Sequence, residues 1–280
     1  MTVPAMAFVL VFAGLLGLVI GSFLNVVVYR VPAGIPLTRE SRCPGCDAPI
    51  RPWHNVPVFS WVALRGRCAR CGEPISSRYP LVELATGVAF VGIGGWILGA
   101  TGASSGVAPA SAWLPTTLEL LAFLYLAAIS IALTLIDLDT HRLPNGIVLP
   151  SYIVALVLLG AASLIASDLA ALIRAGVGMA VLYLFYGALR LIRPGGMGGG
   201  DVKLAGVLGI YLGWLGWASL VVGAFAAFLL GGLFGVALLL SRRASRRTAI
   251  PFGPWMLAGA WVGILAGPAL GAWYLGMLHG

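Results

Sequence analysis

Two aspartates and four cysteines have the types and spacing to do chemistry in this 280-residue chain. Asp201 closes the run Gly195-Gly196-Met197-Gly198-Gly199-Gly200 and leads into Val202-Lys203 and another apolar segment. Asp137 ends the apolar run from Leu120 to Ile136 and precedes Leu138-Asp139-Thr140-His141-Arg142-Leu143-Pro144-Asn145. The chain has only nine acidic residues, so a carboxylate at the lip of each of two apolar segments needs a reason. Two carboxylates brought together cannot both ionise easily and hold one shared proton. The ionised member draws a proton from water while the protonated member hydrogen-bonds a carbonyl, so water attacks without a covalent intermediate. Such a pair titrates as a unit, and neither Asp137 nor Asp201 takes a fixed role. Side-chain-free backbone at Gly198, Gly199 and Gly200 lets an extended substrate lie close, with Lys203 just beyond. Intramembrane acids also mark proton or cation paths in transporters. Those usually lie near the bilayer midplane, whereas these acids lie at segment ends.

The cysteines form two C-x-x-C pairs, Cys43/Cys46 and Cys68/Cys71, with 21 residues between them. Each pair presents two sulfurs on one side of a tight turn, and two pairs complete a tetrahedral zinc site. Two disulfides are the alternative, one that a reducing compartment disfavours. Four thiolates leave no open position for water, so the ion would be structural. A loop of about 50 residues has too little core to fold easily alone, and a metal staple meets that need. His54 is not required as a ligand.

These groups must be positioned by membrane helices. The chain is 60% hydrophobic and 9% charged, against about 25% charged in soluble domains. Apolar stretches near 6–29, 81–100, 117–136, 146–166, 170–192, 202–217, 218–241 and 255–277 predict about eight transmembrane helices. The expected fold is therefore an all-α polytopic membrane protein with one small zinc-stapled domain between helices 1 and 2. Its parts are helix 1 (1–30), a four-cysteine cytoplasmic domain (31–80) and a seven-helix membrane domain (81–280). No cleavable signal peptide stands out. Of 17 Lys and Arg, 16 fall in loops on one side: eight in 30–78, then Arg142, then Arg190, Arg193 and Lys203, then Arg242, Arg243, Arg246 and Arg247. The positive-inside rule makes that side cytoplasmic and both termini external, and the loop 101–116 carries no charge. Basic residues spread over four loops argue against a nucleic-acid partner. The glycine run lacks G-K-[ST] and a surrounding strand–helix unit, so it is neither a phosphate loop nor a dinucleotide fingerprint.

Other polar residues admit two readings. Asn25 is an interhelical hydrogen-bonding amide or a binding group. Glu83, just inside the second helix, is a first-turn acid near Arg78 or a functional group. Glu119 and Asp168 sit at external segment ends and receive no role, while Asp139 is expected to be solvated or paired with Arg142.

Taken in order, Gly21-Ser22-Phe23-Leu24-Asn25-Val26-Val27-Val28-Tyr29-Arg30, the paired C-x-x-C loop, Ser77-Arg78-Tyr79-Pro80-Leu81-Val82-Glu83, Asp137 through Pro144-Asn145, and Gly198-Gly199-Gly200-Asp201-Val202-Lys203 resemble the bacterial type IV prepilin peptidases. The G-x-G-D motif is shared with the wider class of intramembrane aspartyl proteases. The resemblance implies that Asp137 and Asp201 are the catalytic pair of an aspartyl endopeptidase of the bacterial inner membrane. It implies cleavage of the basic leader from type IV prepilins or type II secretion pseudopilins at the cytoplasmic face. It further implies methylation of the new N-terminal amine with S-adenosylmethionine; Asn25 and Glu83 are the candidate helpers there. Prepilin or pseudopilin substrates and membrane lipid are the expected partners. The rival expectation is a zinc-stapled transporter or scaffold with its aspartates in a proton path.

Overall fold

A computed structural model of the chain describes residues 3–100, 113–193, 197–241 and 250–279. Gly195 and Gly196 of the glycine run, most of the uncharged loop 101–116, and Arg242, Arg243, Arg246 and Arg247 lie outside the described residues. Helices follow the apolar runs: α1 Val3–Arg30, a short α2 Phe59–Ala63, α3 Arg78–Ala100, α4 Trp113–Thr140, α5 Asn145–Ile165, α6 Leu169–Ile192, α7 Gly199–Leu215, α8 Trp217–Leu240 and α9 Gly253–His279. Among the described residues the extended pairing consists of two isolated bridges, Arg42 with Pro49 and Arg67 with Pro74.

Among the described residues, seven helices are long and apolar enough to cross a membrane, one fewer than the eight expected stretches. The difference is α7. Its 17 residues rise about 26 Å, short of a hydrocarbon core about 30 Å thick. Every residue from Leu204 to Gly213 is buried, so α7 is apolar all round because protein surrounds it. It packs against α5, α6, α8 and α9. One residue, Gly216 at φ +146°, separates it from α8, a backbone conformation that favours glycine.

The chain forms two compact units, Met1–Ala132 and Leu133–Gly280. In the first, α1 and α3 meet through small residues: a Cβ on Gly17 would stand 2.8 Å from Gly87 Cα. Asn25 Nδ2 donates to the Tyr79 carbonyl at 3.1 Å. At the end of α1, buried Arg30 donates to the carbonyls of Leu37 and Arg39 and to Ser41 Oγ. One guanidinium thereby ties the entry of the cysteine domain to the helix.

In the second unit, glycine draws the helices together in two pairs. A Cβ on Gly178 of α6 would stand 3.0 Å from Gly213 Cα of α7, and one on Gly263 of α9 would stand 2.7 Å from Gly223 Cα of α8. Neither pair has room for a methyl group at these contacts, which favours close packing in a bilayer. Asp168 caps α6, accepting from the Ala171 N–H at 2.9 Å. An N-cap hydrogen bond of this kind is worth about 1 kcal/mol.

Candidate active site and metal centre

Asp137 lies in the last turn of α4 and is 4% exposed. His141, at φ +53°, ends that helix and returns its N–H to the Asp137 carbonyl. The chain then extends through Leu143-Pro144 into α5. Asp137 Oδ2 accepts from the Gly253 N–H at 3.0 Å. Gly253 opens α9, so the carboxylate of one helix sits at the positive end of another, where an anion is favoured.

Asp201 occupies the first turn of α7. It is half-buried, and its Oδ2 accepts from the Gly198 N–H at 2.9 Å. Both carboxylates therefore sit at helix N-termini, each on a backbone N–H. Leu143 links the two places. A Cβ on Gly200 would stand 2.8 Å from Leu143 Cβ, and one on Gly253 would stand 2.7 Å from Asp137 Oδ2 and 3.3 Å from Leu143 Cδ2.

Lys203 Nζ donates to Asn145 Oδ1 at 2.9 Å, and the Tyr152 hydroxyl donates to the Lys203 carbonyl at 2.6 Å. The start of α7 is thus pinned to α5, directly after the stretch that carries Asp137. Gly199 lies against the Arg190 guanidinium. Gly198, Gly199, Gly200, Asp201 and Lys203 lie at the start of α7, which meets the stretch after Asp137 at Leu143 and Asn145. Sequence reasoning missed Gly253, Leu143 and Tyr186. The ring of buried Tyr186 packs on Phe252, beside Gly253. Nothing in residue type singles out Gly253 in Pro251-Phe252-Gly253-Pro254.

In the first unit the four cysteine sulfurs all lie within 4.8 Å of one another. No disulfide joins them. Cys43 Sγ and Cys71 Sγ are 3.7 Å apart. A tetrahedral ion with metal–sulfur bonds of about 2.3 Å needs sulfurs about 3.8 Å apart, so the cluster could hold a metal ion. The two knuckles repeat one another: Arg42-Cys43-x-x-Cys46-x-x-Pro49-Ile50 matches Arg67-Cys68-x-x-Cys71-x-x-Pro74-Ile75. Equivalent hydrogen bonds close both, Cys43 N to Ala48 O at 3.0 Å and Cys68 N to Glu73 O at 2.8 Å. Asp47 and Gly72, at equivalent places, both take a positive φ. The N–H groups of Cys71 and Arg70 lower the Cys68 thiol to about 6. Against the pull of the Glu73 N–H, Cys71 is pushed up to about 12 by desolvation and the neighbouring thiols. Four sulfurs this close become thiolates together only around a cation.

Glu83 is buried, and its Oε2 accepts from the Val58 N–H at 2.7 Å. It fastens the cysteine domain to α3, as Asn25 fastens α1 to α3. Because both side chains are engaged in this way, no step of methyl transfer is assigned to them.

With the geometry in place, comparison with known proteins defines the class. The bacterial peptidase A24 N-terminal domain matches residues 15–96, and the type IV leader peptidase family matches residues 124–236. The particular relatives agree along nearly the whole chain. A prepilin leader peptidase/N-methyltransferase of Stutzerimonas stutzeri is 36% identical over 297 residues, covering 96% of this chain and 94% of the relative. Proteins of the same name from Aeromonas hydrophila (36% identical; 97% of this chain, 95% of the relative) and Neisseria gonorrhoeae (36%; 89% and 88%) match likewise. No solved structure matches. The chain belongs to the type IV leader peptidase family.

Proposed function

We propose that the protein is a membrane aspartyl endopeptidase that cleaves the basic leader from prepilins or pseudopilins and N-methylates the new terminus. The observation that carries the proteolytic reading is the convergence of Asp137 and Asp201 around Leu143, each on a helix N-terminal N–H. In our reading the two carboxylates share one proton. The ionised member takes a proton from water as the hydroxyl oxygen bonds to the scissile carbonyl carbon. The protonated member donates to the carbonyl oxygen. Collapse of the tetrahedral intermediate breaks the C–N bond, and the leaving amine takes a proton from the pair. Gly253 and Gly198 orient the carboxylates, and the Gly198–Gly200 backbone lies along the extended substrate. The Lys203–Asn145 bond holds the two stretches in register.

Residues 31–80 form the metal-binding domain and 81–280 the membrane peptidase domain in this proposal. Cys43, Cys46, Cys68 and Cys71 hold a structural zinc ion, favoured by an all-sulfur donor set without an open position. Bound S-adenosylmethionine would supply the methyl group. The excess of Lys and Arg on one side supports an inner-membrane orientation with both termini external and the aspartates facing the cytoplasm. The transporter or scaffold alternative has no observation in its favour.

The test is mass spectrometry of a coexpressed prepilin with wild type and with Asp201→Asn. The expected result is loss of the leader plus one methyl group with wild type, and an uncleaved chain with the variant. Intact prepilins from several pilus and secretion systems would overturn the proposal.

A further inference from the structure

The cysteine domain carries apolar side chains that its own core does not use. Trp53 is 62% exposed, Val56 46%, Phe59 71% and Val62 62%. They form one cluster because buried Ser60 gathers their backbone: its Oγ donates to the Trp53 carbonyl and accepts from the Val56 N–H, both at 2.9 Å. Phe59 and Val62, three apart on α2, share a helical face. Four large apolar groups exposed together in so small a domain mark an interaction surface.

Their height relative to the membrane follows from one bond. Val58, inside the cluster, donates its N–H to Glu83, the sixth residue of the spanning helix Arg78–Gly99. A helical side chain leans toward the helix N-terminus, so this carboxylate lies over the first turn of α3. Tyr79 stands in that turn, and Tyr29 stands at the adjoining end of α1; both are exposed. Exposed Tyr and Trp at helix ends mark the headgroup level. The backbone of the cluster is therefore tied to the turn of α3 that carries Tyr79. Arg51 lies with its guanidinium carbon 5.5 Å from the Trp53 ring centroid. Exposed Arg65 follows α2, its N–H bonded to the Val62 carbonyl at 3.0 Å.

We propose that the segment Trp53–Val62 is seated in the lipid–water interface, with its apolar side chains among the upper acyl carbons and anionic headgroups on Arg51 and Arg65. The cysteine domain is thereby held against the bilayer by lipid as well as by Glu83 and Arg30. A protein partner would explain the apolar cluster, but not its placement beside the tyrosine belt or its flanking arginines.

The experiment uses the full chain with p-benzoylphenylalanine at position 59 or, as a control, at Arg70 on the second knuckle. Each protein is reconstituted in vesicles of phosphatidylethanolamine and phosphatidylglycerol, with and without a prepilin, and irradiated. The expected result is a lipid-mass adduct at position 59 and none at position 70. Phosphatidylglycerol should be enriched in that adduct over its bulk share by about fivefold, the effect of one basic residue near a charged surface. That enrichment should disappear in the Arg51→Gln, Arg65→Gln variant while the adduct remains. Equal lipid adducts at both positions, protein-only cross-links at position 59, or its capture by the prepilin in place of lipid would overturn the proposal.

Discussion

Replacing Gly253 by alanine tests the site at its least obvious residue. Gly253 does not take a positive φ, so alanine fits the backbone and the perturbation is purely steric. Its Cβ would stand 2.7 Å from Asp137 Oδ2, where ordinary contact begins at 3.4 Å. The carboxylate must therefore move by about 0.7 Å (3.4 minus 2.7). Leu143 Cδ2, at 3.3 Å from the same Cβ, crowds the site further. Misplacement of a reacting group by about 1 Å costs on the order of 100-fold in rate. Gly253→Ala should accordingly slow cleavage about 10- to 100-fold, equivalent to about 1.4–2.7 kcal/mol of barrier. The assay is single-turnover cleavage of a prepilin by the purified enzyme in lipid vesicles, with melting measured alongside. Gly276→Ala is the control on the same helix, because nothing lies within 4 Å of a Cβ there. Cleavage by Gly253→Ala within twofold of wild type would refute the placement of Asp137 at this N–H.

Asp137→Asn and Asp201→Asn should each reduce cleavage by a factor on the order of 100 to 10,000 while the protein still inserts, as judged by membrane fractionation and prepilin processing. Metal analysis should find about one zinc per chain, the number a four-thiolate site holds, and Cys43→Ser or Cys71→Ser should remove it; an intact, active protein without metal would defeat the staple. Lys203→Ala and Asn145→Ala should be non-additive, with a coupling of about 0.5–1.5 kcal/mol in a double-mutant cycle of cleavage rates. Glu83→Ala leaves the Val58 N–H without its acceptor and should destabilise the cysteine domain by about 1.5–3 kcal/mol. Faster proteolysis within residues 51–65 would report that loss, whereas lost methylation with unchanged proteolysis would show Glu83 to be a cofactor ligand instead.

The aspartates were legible because acids are rare in an apolar chain and each of these two interrupts a hydropathy run. The cysteines were legible because spacing alone encodes a four-sulfur cluster. Gly253 was not legible: its contribution is a backbone N–H, which no residue type announces, and it is one of 39 glycines. The length of α7 was hidden for a related reason, since Gly216 alone separates it from α8 and the hydropathy run continues to both sides. Glu83 stood between a dipole role and a functional one because its partner is a backbone group 25 residues earlier. At both ends of α1 and α4 and at the start of α3 the helices ran one to four residues beyond the apolar stretches, because they continue into polar residues such as Arg30, Arg78 and Thr140.

The glycine contacts within the two helix pairs have a mechanical consequence. The α6–α7 pair is in backbone contact and so is stiff, and it carries Asp201. The α8–α9 pair is equally stiff and holds Asp137 through Gly253. Asp137, carried on α4, is bonded to the second pair through the Gly253 N–H, whereas Asp201 belongs to the first, so the two carboxylates are held by different pairs that meet along an apolar seam. That seam contains a void of about 10 Å³, bounded by Leu182, Tyr186 and Leu208 on one pair and Ala227 and Met256 on the other. The seam beside the site is thus filled by apolar side chains rather than by the glycine-to-glycine contacts found within each pair, and a bulkier residue at Ala227 would press on both pairs at once.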